Sequence, residues 1–132
     1  MRSAPSLAGM NISRTEQATA ASLATVAAFQ LALAVGAPWG RAAYGGTRPG
    51  TLPSHLRAIS GVAAVGYGTG AVLIARGSGS ERVRTRAFTT LSALMTVGTI
   101  ANGASPSLVE RAVWTPVTAA TTVYAWLSRT PV

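Results

Sequence analysis

The chain has 132 residues, of which 48% are hydrophobic and only 11% are charged, and its formal charge is +8. A soluble domain typically has about 25% charged residues, so this composition excludes most water-soluble folds. The length fits one domain, and a mean hydropathy of +0.36 indicates that this domain lies in a lipid bilayer.

The cationic residues are all arginine, 11 in number, and they are opposed by only three glutamates. They occur in short clusters between long uncharged stretches, so we expect them to contact lipid phosphates and not nucleic acid. Cysteine is absent, which excludes disulfides and thiolate metal sites. Arginine without lysine, beside abundant alanine and glycine, indicates a GC-rich bacterial genome.

The N-terminal residues 1–13 predict a short disordered tail, and residues 14–132 a single membrane domain. A first helix is expected to begin near Arg14, because Ser13-Arg14-Thr15-Glu16 has the form of a capping box. An uncharged window follows at residues 17–40, and Gly36 predicts the end of the helix. A cleaved signal peptide is the alternative, but the length of the window favours a permanent span.

Three further uncharged windows, residues 58–75, 87–109 and 112–128, are each close to the length that a bilayer core requires. We therefore predict an all-α fold, a bundle of four transmembrane helices with spans at about 17–36, 56–75, 84–102 and 108–128. Ser54 and Ser80 are the expected N-caps of the second and third helices. Pro116 should kink a fourth helix that begins near Leu108.

Small residues at helical spacing predict how these helices pack. Gly66 and Gly70 form a G-x-x-x-G pair in the second helix, and alanines recur in the first. We expect a tight bundle with little internal room, in which Gln30 donates an interhelical hydrogen bond.

The distribution of arginine predicts the orientation. Seven arginines lie in the N-terminal segment, the second connection and the C-terminus, against four on the other side. Both termini are therefore expected in the cytoplasm, in a multi-pass protein of the plasma membrane.

The connection at residues 36–57 has an unusual content of aromatic, basic, glycine and proline residues, and the predicted topology brings it to the same membrane surface as the third connection. The candidate interfacial site consists of Trp39, Arg41, Tyr44, His55, Arg57, Glu110, Arg111 and Trp114. Aromatic rings and arginines of this kind suit the headgroup layer. An ion pair from Arg41 or Arg57 to Glu110 is expected to join the two connections.

Catalytic motifs are missing from the sequence. His55 with Glu110 is the one conceivable acid and base pair on this face, and it is the only support for a lipid-modifying enzyme. No metal, nucleophile or cofactor motif is present, so we expect a protein that is not an enzyme and has no cofactor. Small multidrug transporters depend on a glutamate buried within their first helix, whereas Glu16 lies at the start of this one.

The segments GAPWGRAAYGGTRPGTLPSHLR and NGASPSLVERAVWTPV resemble an uncharacterised family of small actinobacterial integral membrane proteins. This resemblance implies four spans and no established activity. We expect a scaffold or accessory subunit that contacts lipid, a membrane-protein partner or a second copy of itself. The alternative is a small transporter of hydrophobic or cationic molecules.

Overall fold

The computed structural model describes residues 12–129, which contain four α-helices and no strand. The helices are α1 (Arg14–Ala34), α2 (Ser54–Ala75), α3 (Glu81–Gly103) and α4 (Thr115–Leu127). Two short 3-10 turns, Gly40–Ala42 and Tyr44–Gly46, lie between α1 and α2, and a π-helical segment, Glu110–Trp114, leads into α4. The predicted all-α, four-helix fold is confirmed. Residues 1–11 of the predicted tail lie outside the described residues.

Both ends of α1 follow the local signals in the sequence. Ser13 is the N-cap, and its Oγ accepts the backbone N–H of Glu16 at 3.1 Å while its own N–H donates to the Glu16 carboxylate at 2.8 Å. Gly36 follows the helix with φ +106°, a conformation that glycine adopts without steric cost. The predicted capping box and helix end are therefore confirmed.

The N-cap of α3 is confirmed and that of α2 is not. Ser80 Oγ accepts the backbone N–H of Val83 at 3.2 Å. Ser54 is instead the first residue of α2, and Pro53 occupies the cap position without a side-chain hydrogen bond. Proline has a fixed φ and no side-chain oxygen, so it occupies the cap position without a hydroxyl that could accept a backbone N–H.

The fourth helix contains a local irregularity before the predicted kink position. The chain is helical from Leu108, but Glu110–Trp114 is π-helical and Pro116 lies in the first turn of α4. The wider π turn accommodates a residue without an N–H donor, and Thr115 Oγ1 donates to the Glu110 carbonyl at 3.2 Å. The helix is therefore irregular next to Pro116, and the kink itself stays a prediction.

The helices pack as two hairpins. α1 packs along α2, α3 packs along α4, and α1 also contacts α4, whereas α2 and α3 make at most marginal contact. Gly61 and Gly68 face Ala34 and Ala27 of α1, where an added Cβ would lie 3.8 Å from each alanine Cβ. A Cβ added at Gly66 would meet nothing within 4 Å, so Gly66 packs against no other helix and the predicted pairing through it is wrong.

The expectation of little internal room is also wrong. An apolar groove of about 560 Å³ separates α2 from α3, and a second cavity of about 300 Å³ lies deeper, under the loops. Each hairpin uses small residues internally: Ser92 of α3 donates to the Thr122 carbonyl of α4 at 2.9 Å, and Gly61 and Gly68 of α2 face α1. Gly66 is left in the groove without a partner on α3.

The described residues bury several hydroxyl side chains beside a few large apolar ones, and they expose many large aliphatic side chains. The largest fully buried side chains are Leu33, Thr19, Thr121 and Ser60. Large aliphatic side chains are instead exposed on all four helices. By length and composition, α1 and α2 are apolar enough to cross a membrane. α3 begins with four charged residues among its first six, and α4 has only 13 residues.

Candidate interfacial site

Two loop segments, residues 36–53 and 104–114, meet at one end of the bundle, and we refer to them together as the loop cap. The first segment closes on itself: the N–H of Gly40 donates to the Gly50 carbonyl at 2.9 Å, and Trp39 forms a β-bridge with Gly50. A Cβ on Gly40 would lie 1.8 Å from the Arg48 carbonyl oxygen. Only glycine therefore fits at position 40, where these two parts of the loop contact each other.

A small apolar cluster anchors this loop to the helices beneath it. Leu33, Ala43 and Leu52 are buried together, with Phe29 and Leu56 packed against them. Leu33 is completely buried, and Leu52 is 2% exposed. The loop is thus part of the packed structure, and it is not a simple tether between two helices.

Arg57 holds the C-terminal end of α1. Its Nε donates to the Ala34 carbonyl at 3.1 Å, and Thr51 Oγ1 donates to the Gly36 carbonyl at 3.1 Å. The last carbonyls of a helix lack partners within it and carry partial negative charge, so a guanidinium is well placed there. The arginine therefore stabilises a helix end, a role that the sequence analysis did not assign to it.

Glu110 joins the two segments of the loop cap. It is 8% exposed, and its carboxylate accepts hydrogen bonds from Ser105 Oγ and, at 3.4 Å, from the N–H of Gly45. Ser107 adds a second link, because its Oγ accepts the Glu110 N–H at 3.3 Å and donates to the Arg41 carbonyl. Hydroxyl and amide donors thus satisfy a buried carboxylate where an ion pair was expected.

The predicted ion pairs from Arg41 and Arg57 to Glu110 are wrong. Arg41 is exposed and contributes its backbone carbonyl, while the Arg57 guanidinium is occupied at α1. Arg111 is also directed elsewhere, since its guanidinium donates to the Ser105 carbonyl at 2.8 Å. Short polar groups next to Glu110 in the fold reach it at lower entropic cost than long arginines do.

Tyr44 and His55 contribute differently to this end of the molecule. Tyr44 has φ +49°, and its hydroxyl lies 2.9 Å from Ser60 Oγ, which ties the loop to α2. His55 is exposed in the first turn of α2, and its side chain makes no hydrogen bond within residues 12–129. The Glu110 carboxylate is occupied by Ser105 and Gly45, so nothing in the geometry links His55 to it as a catalytic pair.

Phe29 connects the two tryptophans of the predicted site. The Phe29 ring is parallel to that of Trp39, within 8°, at a centroid distance of 6.1 Å, and it lies 4.5 Å from the Trp114 ring at an angle of 50°. Such aromatic pairs add about 0.5–1.5 kcal/mol beyond their buried area. Phe29 was not among the predicted site residues, although its position two turns before Gly36 brings it close to the loop cap.

Two polar side chains under the loop cap lack partners. Gln30 Oε1 and Trp114 Nε1 are the buried side-chain atoms without a hydrogen bond in the described part of the chain. Both residues line the 300 Å³ cavity together with Asn102, Glu110 and Thr118. The predicted interhelical hydrogen bond of Gln30 is therefore not made. An unsatisfied buried polar group costs about 1–3 kcal/mol, so this region is destabilised.

The opposite end of the bundle has an ion pair that the sequence analysis did not predict. Arg84 and Glu16 form the one salt bridge within the described residues, and their side chains are 20% and 9% exposed. Arg84 also donates to the Ser78 carbonyl at 3.1 Å and lies over the Phe88 ring at 5.6 Å. In the predicted topology, Glu16 and Arg84 both lie at the same membrane surface. This shared location is the sequence signal that was consistent with the pair.

Arg84→Met is expected to lower the free energy of unfolding by about 3 kcal/mol, because the buried Glu16 carboxylate loses its cationic partner. Glu16→Gln should cost only about 1 kcal/mol, since Arg84 is more exposed and keeps the Ser78 carbonyl. The double variant is expected to be more stable than Arg84→Met alone. Thermal unfolding in detergent micelles measures all three, with the exposed Arg82→Met as control. Additive effects of the two substitutions would show that the pair is not coupled.

Comparison with protein-family models, with curated proteins and with solved structures finds no match to this chain.

Proposed function

We propose that this chain is a four-span membrane protein that acts as a non-enzymatic scaffold or accessory subunit, with the loop cap as its contact surface. The carrying observation is the exposure of many large aliphatic side chains on helices that bury hydroxyl groups. Val62, Val97 and Val123 are 75%, 66% and 54% exposed, while Thr19 and Thr121 are at most 1% exposed. In water the opposite arrangement is favoured, whereas lipid solvates the exposed aliphatic surface.

The low burial of α1 and α2 supports the same placement. Their most apolar windows are only 22% and 11% buried, so neither resembles the core helix of a soluble domain. The four-span proposal adds α3 and the helical stretch from Leu108 to the end of α4 as the remaining spans. Both have exposed aliphatic residues along their length.

Hydroxyl side chains inside the helices are satisfied locally, as lipid requires. Thr19 Oγ1 donates to the Thr15 carbonyl at 2.7 Å, and Thr121 Oγ1 to the Val117 carbonyl at 2.7 Å. Thr99 of α3 makes the same bond within its helix and is also linked to Thr118 of α4 at 3.0 Å. Such bonds lower the cost of polar atoms at membrane depth, so threonine-rich helices are compatible with a bilayer.

Both termini are proposed to face the cytoplasm of a bacterial cell. In a chain without natural cysteine, Arg48→Cys should react with a membrane-impermeant maleimide in intact cells. Ser78→Cys, in the opposite connection, should react only after the cells are opened. Equal reactivity of both positions in intact cells would contradict this orientation.

The loop cap is proposed as the surface that meets lipid headgroups or a partner in the membrane. Trp39 is 49% exposed and Tyr44 37% exposed on a loop that is itself rigidly packed, and Arg41 is exposed beside them. A fixed loop that presents aromatic and cationic side chains suits recognition, because little conformational entropy is lost on contact. This loop surface is the basis for the proposed scaffold role. Membership of the four-span actinobacterial family stays a prediction.

A cross-linking experiment tests this role. A benzophenone attached at Arg41→Cys should give a discrete protein adduct in native membranes, because that side chain is exposed on the loop cap. The same label at Arg82→Cys, exposed at the other end of the bundle, is the matched control. A second copy of the chain would appear as an adduct of twice its mass. Identical adduct patterns at both positions, or lipid adducts alone, would remove the scaffold role.

A small transporter of hydrophobic or cationic molecules is the second candidate, favoured by the groove between α2 and α3. Reconstituted protein should then move a lipophilic cation such as ethidium across liposomes faster than empty liposomes do. Flux at the rate of empty liposomes, across a panel of hydrophobic and cationic compounds, would dismiss this candidate.

A further inference from the structure

The groove and the cavity are adjacent and share part of their walls. Tyr67, Leu94 and Met95 line both, so the two meet near the middle of α2 and α3. The groove extends from there toward Ser78 and Arg84, and the cavity extends under the loop cap. Volumes of about 560 Å³ and 300 Å³ are each in the range of small-molecule sites.

The groove has the lining that a hydrocarbon chain requires. Most of its wall is aliphatic or aromatic, including Ala63, Leu73, Ile74, Val83, Phe88 and Leu91. Gly66 and Gly70 of α2 also line it, and their missing side chains widen it. Arg84 of α3 lies at the far end of the groove, and Gly98 of α3 lines the cavity. The α3 helix rises by roughly 21 Å between these two residues. One extended acyl chain fits this length.

The cavity has a different chemistry. Gln30 Oε1, an acceptor, and Trp114 Nε1, a donor, are buried without a partner in two residues that line this cavity, and Asn102 adds an amide to the same lining. A hydroxyl group both donates and accepts, so a head group that reaches both buried atoms would satisfy them together. Glu110 also lines the cavity, which disfavours a ligand with an anionic head.

We propose that the groove and the adjacent cavity together bind a neutral single-chain amphiphile with a hydroxyl head, of which a monoacylglycerol is the representative. The head lies at the end lined by Gln30 and Trp114, and the tail follows the groove toward Arg84. This inference rests on the membrane placement proposed above, because the groove opens to surrounding lipid between α2 and α3. It does not depend on the scaffold role.

Photolabelling in phosphatidylcholine nanodiscs tests the site, with a monopalmitoylglycerol that has a diazirine at mid-chain as the probe. Leu91 and Leu94 should be labelled, and excess unlabelled monopalmitoylglycerol should remove that label. Ile59 and Ile100, which are 52% and 67% exposed outside the groove lining, should give label that is not competed. Label that is uniform and not competed anywhere would overturn the proposal.

Filling the groove provides a matched pair of variants. Gly66→Leu should reduce the competed label at least tenfold, because its side chain enters the groove, and a Cβ there meets nothing within 4 Å. Val65→Leu changes the adjacent residue, which is 71% exposed and does not line the groove, so it should leave the label unchanged. Equal labelling of the two variants would place the probe elsewhere and overturn the proposal.

The head end is tested separately. Gln30→Leu should weaken binding of the probe about three- to tenfold, as expected for one neutral hydrogen bond, while raising the melting temperature of the unliganded protein. A merely structural role of Gln30 would not move these two measurements in opposite directions. Competition by phosphatidylglycerol, and not by monopalmitoylglycerol, would indicate an anionic lipid with its head at the arginines of the other end and would overturn the proposal.

The cell fraction separates failure of this inference from failure of the proposed function. A chain recovered in the soluble fraction would defeat the membrane placement and the ligand site together. A chain in the membrane fraction without competed label would overturn the ligand site alone.

Discussion

Glu110→Ala is expected to lower the free energy of unfolding by about 3 to 5 kcal/mol, because hydrogen bonds to a buried carboxylate contribute about 1.5–3 kcal/mol each. The Ser105 hydroxyl and the Gly45 N–H lose their acceptor, and the two segments of the loop cap lose their principal link. Amide exchange at residues 43–46 should therefore accelerate well before global unfolding.

Two variants control this prediction. Glu110→Gln keeps one acceptor oxygen and should lose less than half as much stability as Glu110→Ala. Glu81→Ala removes an exposed glutamate in the first turn of α3 and should change stability by no more than about 0.5 kcal/mol. If Glu110→Ala and Glu81→Ala unfold at the same temperature in detergent micelles, the carboxylate does not organise the loop cap.

Gly40→Ala is expected to lower stability more than any other glycine-to-alanine substitution in the described residues. Its Cβ would lie 1.8 Å from the Arg48 carbonyl oxygen and 2.8 Å from that of Gly50, and both are backbone atoms that cannot rotate away. The loop must open, which breaks the Gly40 to Gly50 hydrogen bond and uncovers Leu52. A loss of about 4 kcal/mol or more is expected, a size seen only for backbone strain or core disruption.

The same substitution in open space is the control for Gly40→Ala. Gly66→Ala places its Cβ where nothing lies within 4 Å and should stabilise α2 by about 0.5–1 kcal/mol, because glycine is a poor helix former. Opposite shifts in melting temperature are therefore expected for the two variants. Similar shifts would show that residues 36–53 are not held in the described conformation.

Local signals in the sequence predicted the helices well. Ser13 with Glu16, Ser80 and Gly36 each act within one or two turns of their own position, so their effect does not depend on the rest of the fold. At the start of the fourth helix, near the predicted Leu108, Ser107 Oγ likewise accepts the N–H of Glu110, three residues further on.

Contacts between elements were predicted poorly, and the reason is geometric. The glycines of α2 lie on several faces of one helix, and the spacing alone does not say which face meets α1. The structure places Gly68 against Ala27 and leaves Gly66 in the groove. The groove itself depends on which helices are neighbours, which a single sequence does not specify.

The candidate site was predicted as a location more accurately than as a set of interactions. The loop cap brings together most of the expected residues, because two connections at one end of a bundle must meet. The predicted ion pair from Arg41 or Arg57 to Glu110 was wrong, because it was inferred from opposite charge alone. Ser105 lies only five residues from Glu110 in the chain and is therefore already close enough to donate to it. The pairing of Glu16 with Arg84 links residues 68 positions apart and needed the fold.

Solvent accessibility of α3 and α4 tests the central claim most directly, because these two helices are the ones that length and hydropathy do not mark as spans. Spin labels at Val97→Cys and Val123→Cys can be read without background, since the chain has no natural cysteine. In lipid bilayers, both labels should collide frequently with oxygen and rarely with a water-soluble nickel complex. Frequent collision with the nickel complex at these two positions would contradict a four-span membrane protein.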